Sequence, residues 1–441
     1  MKQILLFGAG KSATVLIDYL KETATQKQWL VTIADINLET VRAKLGNHEL
    51  VKAVGISIDN ETERKALIQE ADVVISLLPP SLHYFVALDC LAAGKHLLTA
   101  SYVDDKIREL ENQIKEKGIL FLCEMGLDPG IDHMSAMQLI HRIQNKGGKI
   151  TSFLSHCGGL VAPESDDNPW HYKISWNPRN VVNAGKGGAI FREKLEVRSM
   201  KYEQLFLDCA EVSIDGVGQL AYYPNRDSLG YIPVYGLEEA ETFMRTTLRH
   251  PDFCKGWQLI IELRLTDEAD LQDTDGLSIS DFLQKQFQAK NILFDSLTPL
   301  QQKQFVFLGW HDHTLINKGR CSVADVLQFI IEKKWVLGTE DKDMIVMQHE
   351  IAFEVKNQKS KIKSCLVVKG ENSLRTAMAK TVGLPLGIAA TLILEGKITE
   401  TGLHIPIVSG IYEPVLERLK EYGIVFFEYR TDEQEQKQSL S

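Results

Sequence analysis

Over the first 123 residues, short apolar runs rich in β-branched residues alternate with longer segments of helical period. The runs fall at 4–7, 30–34, 54–58, 73–77, 96–98 and 119–122. Continuous apolar runs separated by helical segments are the pattern of parallel strands covered on both faces and joined by crossover helices. The expected fold class is α/β, a doubly wound parallel sheet of the Rossmann kind. After Asp128-Pro129 a helix through Met134, Met137, Leu139 and Ile140 is expected, with Asp as N-cap and Pro at the first helical position.

The pattern then changes. Residues 150–230 carry an excess of Gly, Pro, Asn and aromatic residues, a composition suited to loops that build a substrate site on a rigid scaffold. From 236 to 335 the period is mostly helical, at 238–248, 278–289 and 323–333, and 259–265 is ambiguous between helix and strand. Residues 344–355 and 360–368 read as two strands joined by Lys356-Asn357-Gln358-Lys359, followed by a helix from 373 to about 394 and a last helix and strand over 414–427. The Glu/Gln/Ser tail beyond Arg430 is expected to be disordered. The expected organisation is a Rossmann domain of residues 1–130 plus about 388–441, an α/β substrate domain of 131–235 plus about 336–387, and a mainly helical insert of 236–335, with the site in the cleft between domains.

Composition narrows the function classes. The chain has 441 residues and a formal net charge of −10, with no compensating basic stripe, so neither nucleic acid nor an anionic membrane is an expected partner. No uninterrupted apolar run reaches the ~18 residues of a membrane span, and a cytoplasmic protein is expected. The seven cysteines are scattered without a Cys-x-x-Cys pair, so neither a disulfide framework nor a zinc site is indicated. An anionic ligand must therefore find a local arginine cluster.

The string Gly8-Ala9-Gly10-Lys11-Ser12-Ala13 follows a strand and precedes an amphipathic helix. Gly8 permits the tight turn, Gly10 lets the backbone approach a pyrophosphate, and Ala13 allows close packing of helix on strand. A phosphate loop of the Walker type would need glycine where Leu5 stands. Asp35 ends the second strand 22 residues after Ala13, where a carboxylate would bind the adenosine ribose hydroxyls and repel a 2′-phosphate. NAD is therefore expected over NADP; the alternative for Asp35 is a cap on the following helix.

Longer stretches carry a resemblance. Ile75-Ser76-Leu77-Leu78-Pro79 with His83, Thr99-Ala100-Ser101-Tyr102, the run from Glu124 to Met134, the run from Ser155 to Glu164, Asp167-Asn168-Pro169, Tyr172 to Trp176, Tyr223 to Ser228, Thr247-Leu248-Arg249 and Thr381 to Pro385 resemble, in order, the glutamate-forming saccharopine dehydrogenases, also called saccharopine reductases. The fungal biosynthetic members use NADP and have an arginine-bearing turn where this chain has Ala34-Asp35-Ile36-Asn37, so the resemblance is to the NAD-using branch of lysine degradation. Lys11-Ser12 and His156 also depart from the commonest residues of the pattern.

The resemblance implies reversible oxidation of saccharopine to glutamate and 2-aminoadipate 6-semialdehyde, with those amino acids as small-molecule partners and a homodimer left open. It implies Asp128, Tyr102 and Cys157 at the reacting centre. For the cofactor it implies Lys11, Ser12, Asp59, Leu78, Thr99, Ala100, Leu127, Pro129 and Asn177 beside the glycine loop, and for the substrate Ser101, Tyr102, Asp128, Arg226, Thr247, Leu248 and Arg249. Lys173 and Arg179 are secondary candidates for substrate carboxylates. Plainer readings stand beside these: Asp128 as an N-cap, Cys157 as a packed thiol and Arg226 as half of an ion pair. His83, His133 and His156 lack zinc spacing, and no metal is expected. Trp170, Trp176, Tyr222 and Tyr223 read as core or cleft wall. The rivals are a related reductive-amination enzyme such as carboxynorspermidine dehydrogenase and a non-catalytic NAD(H)-binding sensor.

Overall fold

The six apolar runs form strands β1 (Gln3–Phe7), β2 (Leu30–Asp35), β3 (Val51–Gly55), β4 (Val73–Ser76), β5 (His96–Thr99) and β6 (Leu120–Leu122) in the computed structural model, which describes residues 1–432. With Gly402–His404 they make one parallel sheet in the order 402–404, β6, β5, β4, β1, β2, β3. The strand order reverses between β1 and β4, which places a crevice outside their carboxyl ends. Only the third run is displaced, from 54–58 to β3. That strand is an edge strand of mixed burial, so its apolar signal is diluted.

Helices α1 (Thr14–Lys27), α2 (His83–Ala93), α3 (Ile131–Gln144) and α4 (Ala377–Leu394) belong to the same unit, formed by residues 1–148 and 374–426. Two glycines fix how α4 lies on α1. A Cβ on Gly383 would stand 2.9 Å from Leu16 Cβ, and one on Gly387 would stand 2.6 Å from the Tyr19 ring. Among the described residues α4 is the one helix long and apolar enough to cross a membrane, and 78% of it is buried in the protein. The division after Gly148, rather than at 130, has a cause in α3, whose His141 Nδ1 lies 2.8 Å from the Tyr412 hydroxyl of the same unit.

The second unit comprises residues 149–373 and the chain from Phe427. Its mixed sheet runs in the order β8 (Ala210–Ile214), β9 (Gly218–Pro224), β10 (Thr242–Arg249), β7 (Lys149–Val161), β11 (Asp343–Val355), β12 (Gln358–Lys369) and Phe427–Asp432. β7 and β10 are parallel and the other neighbours along this path antiparallel. The helix expected over 238–248 is instead β10. Acidic residues 238, 239 and 241 mimic a helical polar face, whereas Thr242–Arg249 is almost continuously buried in the middle of a sheet. The region 236–335 is thus no separate insert. Its helices pack, with Trp170 and Trp335, into a core that includes β9 residues, and 259–265 begins as the end of helix Pro251–Glu262. The β11–β12 hairpin closes through Lys356 and Asn357, both at positive φ (51° and 64°), as a two-residue turn of the I′ type requires. The last strand pairs with β12 rather than with the Rossmann sheet. Of the tail expected to be disordered, Thr431 and Asp432 lie in that strand, and the remainder lies outside the described residues.

Candidate active site

The glycine loop joins β1 to α1. Gly8 has φ +98°, and a Cβ there would stand 2.7 Å from the Leu77 carbonyl oxygen. Gly10 caps the first turn, Lys11–Ala13, without a side-chain hydrogen bond, and a Cβ on it would meet nothing within 4 Å. An open backbone at an uncapped helix N-terminus is a ready anion site, so the loop fits a pyrophosphate. Lys11 is exposed, Ser12 half-buried and Ala13 buried. Asp35 serves this loop: Oδ2 accepts the Ala9 amide at 2.7 Å and Oδ1 the Asn37 amide at 2.8 Å. It is not the helix cap, since Asn37 Oδ1 accepts from Thr40 in that role. Lys44 Nζ donates to the Ala9 and Gly10 carbonyls at 2.8 and 2.6 Å; burial lowers its pKa, and Asp35 opposes that. Asp59 is exposed in the turn after β3.

A second group gathers at the carboxyl ends of β4, β5 and β6. Buried His83 opens α2, with Nδ1 2.8 Å from Ser76 Oγ and Nε2 2.8 Å from Ser101 Oγ and 3.2 Å from Thr99 Oγ1. Burial pushes its pKa down to about 4, so the ring is neutral near pH 7. Leu78 is half-buried against the unit's core. The amides of Glu124 and Met125 donate to the Ser101 and Thr99 carbonyls, and a Cβ on Gly126 would stand 3.1 Å from that of Ala100. These contacts lay the loop of Leu127, Asp128 and Pro129 beside the Thr99–Tyr102 segment.

The cap expected at Asp128 is not there. The N-cap of α3 is Gly130, whose amide donates to Asp132 Oδ1 at 2.6 Å. Gly130 has φ +148°, and a Cβ on it would stand 2.0 Å from the Gly126 carbonyl oxygen. The turn that glycine allows starts the helix two residues late and leaves Asp128 half-buried in the loop, where its peptide bond to Pro129 is cis. Leu127 and Pro129 are buried and Tyr102 is half-buried. Glu124 and His133, which sequence reasoning left without a role, form a buried pair at 2.8 Å, and Glu124 Oε1 accepts the Val103 amide.

In the second unit, Cys157 on β7 stands level with Thr247 on β10, and Thr247 with Tyr223 on β9. Two residues further along β10, Arg249 lies over the Tyr172 and Phe253 rings at 5.3 and 5.6 Å and donates to the Leu248 carbonyl at 2.7 Å. It is 5% exposed, its Nε has no hydrogen-bond partner, and no carboxylate among the described residues is within salt-bridge distance. Cys157 is 6% exposed, which suits a packed thiol. Leu248 points to the other face of β10, into a cluster with Leu160 and Val346. His156 shares that other face: Nδ1 lies 2.7 Å from Thr246 Oγ1, and burial pushes its pKa down to about 4. Arg226 is exposed in the short strand Arg226–Asp227, and the amide of the preceding Asn225 donates to the carbonyl of Arg245, four residues before Arg249 on β10.

Other candidates are engaged elsewhere. Lys173 is held by Asp167 at 2.8 Å and Asp341 at 2.7 Å, and Arg179 pairs with Asp325. Asn177 is exposed and caps the helix Pro178–Val182 through the Arg179 amide. Trp170 and Tyr223 are core residues, while Trp176 and Tyr222 are half-buried. His171, His250 and Asp252 bring metal-ligand types within 4.8 Å. However, His250 Nδ1 accepts the Asp252 amide, which leaves the hydrogen of the neutral ring on Nε2, and the rings stack at 3.8 Å. That arrangement describes a stacked pair beside Asp166 better than two ligands around one ion.

Comparison with known proteins gives this geometry a family. Residues 4–122 match the saccharopine dehydrogenase NADP binding domain and residues 126–424 the saccharopine dehydrogenase C-terminal domain. The alpha-aminoadipic semialdehyde synthase of Arabidopsis thaliana is 32% identical over 96% of this chain and 44% of its own length, so the chain spans about half the length of the first curated relatives it matches. The saccharopine dehydrogenase [NADP(+), L-glutamate-forming] of Saccharomyces cerevisiae is 31% identical over 96% of this chain and 98% of its own. The solved structure of the apo yeast saccharopine dehydrogenase (L-Glu forming) superposes with a TM-score of 0.88 at 30% identity, covering 98% of this chain and 100% of that one. These findings correct the cofactor: the family's nucleotide domain and the fungal relatives are described with NADP, not NAD. In the structure the Asp35 oxygens on which the NAD expectation rested accept the Ala9 and Asn37 amides. By its two matched domains and its full-length likeness to the fungal enzymes, the chain belongs to the saccharopine dehydrogenase family.

Proposed function

We propose that the chain is an NADP-dependent, L-glutamate-forming saccharopine dehydrogenase acting in lysine metabolism. The observation that carries this reading is Arg249, a buried guanidinium with an idle Nε and no carboxylate partner among the described residues. An unpaired charge taken out of water costs several kcal/mol. A site that bears this cost suits an anionic ligand, and saccharopine has three carboxylates. An arginine fork is the side chain best matched to one.

The bound dinucleotide supplies the redox chemistry by accepting a hydride. The chain's residues have the other tasks. The substrate's secondary amine must lose its proton before hydride can leave the neighbouring carbon, and water must then add to the resulting C=N bond. In this reading Asp128 and Tyr102 handle those protons, while Arg249 and Thr247 hold a substrate carboxylate. Cys157 contributes packing, because oxidation at a C–N bond needs no thiol nucleophile.

The test is reduced-nicotinamide absorbance with purified protein and saccharopine, using NADP and, separately, NAD, with glutamate measured as product. Glutamate formed in step with NADPH supports the reading. No reduction of either dinucleotide by a protein that binds NADPH would sink it.

A further inference from the structure

Three hydroxyls and one imidazole form a closed network at the carboxyl edge of the Rossmann sheet. Ser76 ends β4, Thr99 ends β5, and both are at most 1% exposed; His83, 3% exposed, joins them from the start of α2. The fourth member, Ser101, is half-buried and forms the network's outward end. Its amide also donates to Thr99 Oγ1 at 3.2 Å, so main chain and side chain are tied to the same partners. A neutral imidazole has one N–H and one lone pair. Whichever ring nitrogen carries the hydrogen fixes whether Ser101 Oγ accepts from the ring or donates to it. That choice decides what the hydroxyl offers to a ligand.

The location gives the choice a use. The glycine loop and Asp35 lie on the β1–β2 side of the switch point, the adenosine half of a dinucleotide site, and β4 and β5 lie on the other side, where the nicotinamide half belongs. We infer that His83 is a positioning residue that sets the direction of the Ser101 hydroxyl toward the nicotinamide end of a bound dinucleotide, with Ser76 holding the far side of the ring. This rests on the proposed dehydrogenase reading only for its kinetic consequence. Apolar packing alone would call for no such ring, since a leucine would fill the space without three hydroxyl partners, two of them buried.

A double-mutant cycle tests it, with His83→Leu, Ser101→Ala and the combination. The readouts are the dissociation constant of NADPH from nicotinamide fluorescence, kcat and KM with saccharopine, and the thermal midpoint. His83→Leu is expected to weaken NADPH binding on the order of tenfold, a single lost hydrogen bond's worth. Most of that loss should vanish when Ser101 is already alanine, and His83→Gln should recover part of it. Additive effects, or unchanged binding in a folded His83→Leu protein, would overturn the inference. If His83→Leu does not fold, the same cycle is run with His83→Gln. If wild-type protein binds NADPH but does not turn over saccharopine, the reaction is wrong and the binding cycle still decides the role of His83.

Discussion

The Glu124 carboxylate and the His133 imidazole meet at 2.8 Å with the histidine wholly buried, joining the loop after β6 to the first turn of α3 on either side of Asp128. The pair spans the turn that presents Asp128, so its first consequence is local rigidity. His133→Leu removes the hydrogen bond and leaves a buried carboxylate oxygen without that partner, which should cost about 3 kcal/mol. Urea denaturation checks this, and a loss below about 0.5 kcal/mol would show that the pair is dispensable to stability.

Gly10 and Gly130 should respond in opposite ways to one added methyl. Gly130→Ala places a Cβ 2.0 Å from a backbone oxygen at φ +148°, and should fail to give folded protein. Gly10→Ala meets open space, so its thermal midpoint should stay within a few degrees of wild type while NADPH binding falls. Expression yield, thermal melts and a fluorescence titration distinguish the two.

Asp35→Ala removes the acceptor of one glycine-loop amide, that of Ala9, and of the Asn37 amide in the turn after β2. The lost bond to the loop is worth about 1 kcal/mol, so binding of NADPH and NADH should weaken together by about fivefold. Paired titrations read the outcome. A variant that binds NADPH more tightly would show that the carboxylate still opposes the 2′-phosphate.

Acid should destabilise the protein through two buried histidines. His83 and His156 are both depressed to about 4 by burial, whereas the unfolded chain takes up their protons near pH 6.5. Between pH 6.5 and 4 the unfolded state binds more protons, so stability is present above that window and is lost as pH falls through it. By pH 5 the loss should be roughly 2 kcal/mol per histidine. Urea midpoints at pH 7 and pH 5 test this, and His156→Gln should flatten the difference; an unchanged slope would assign the acid sensitivity elsewhere.

The Rossmann half was legible because its runs are short, apolar and evenly spaced, and because Gly8 has a local steric task. Where reading failed, a tertiary contact had overridden a local rule. Asp128-Pro129 satisfies the grammar of a helix start, yet the close approach of Gly126 and Gly130 moves the cap. Thr242–Arg249 follows acidic residues that look helical, and only its neighbours on both sides make it a strand. The hydrogen bonds around His83 follow from no local rule, since Ser76 ends one strand while Thr99 and Ser101 lie together at the end of its neighbour.

The chain passes from one unit to the other after residues 148, 373 and 426. A ribosome that has made the glycine loop and five of its neighbouring strands has therefore not made a finished nucleotide domain. Helix Ala377–Leu394, which covers α1, and the strand Gly402–His404 arrive only after the whole second unit's main body has been synthesised. Until then, Leu16 and Tyr19 lack the partner that buries them. A chain stopped anywhere between 149 and 376 therefore carries the glycine loop without the helix that packs over α1.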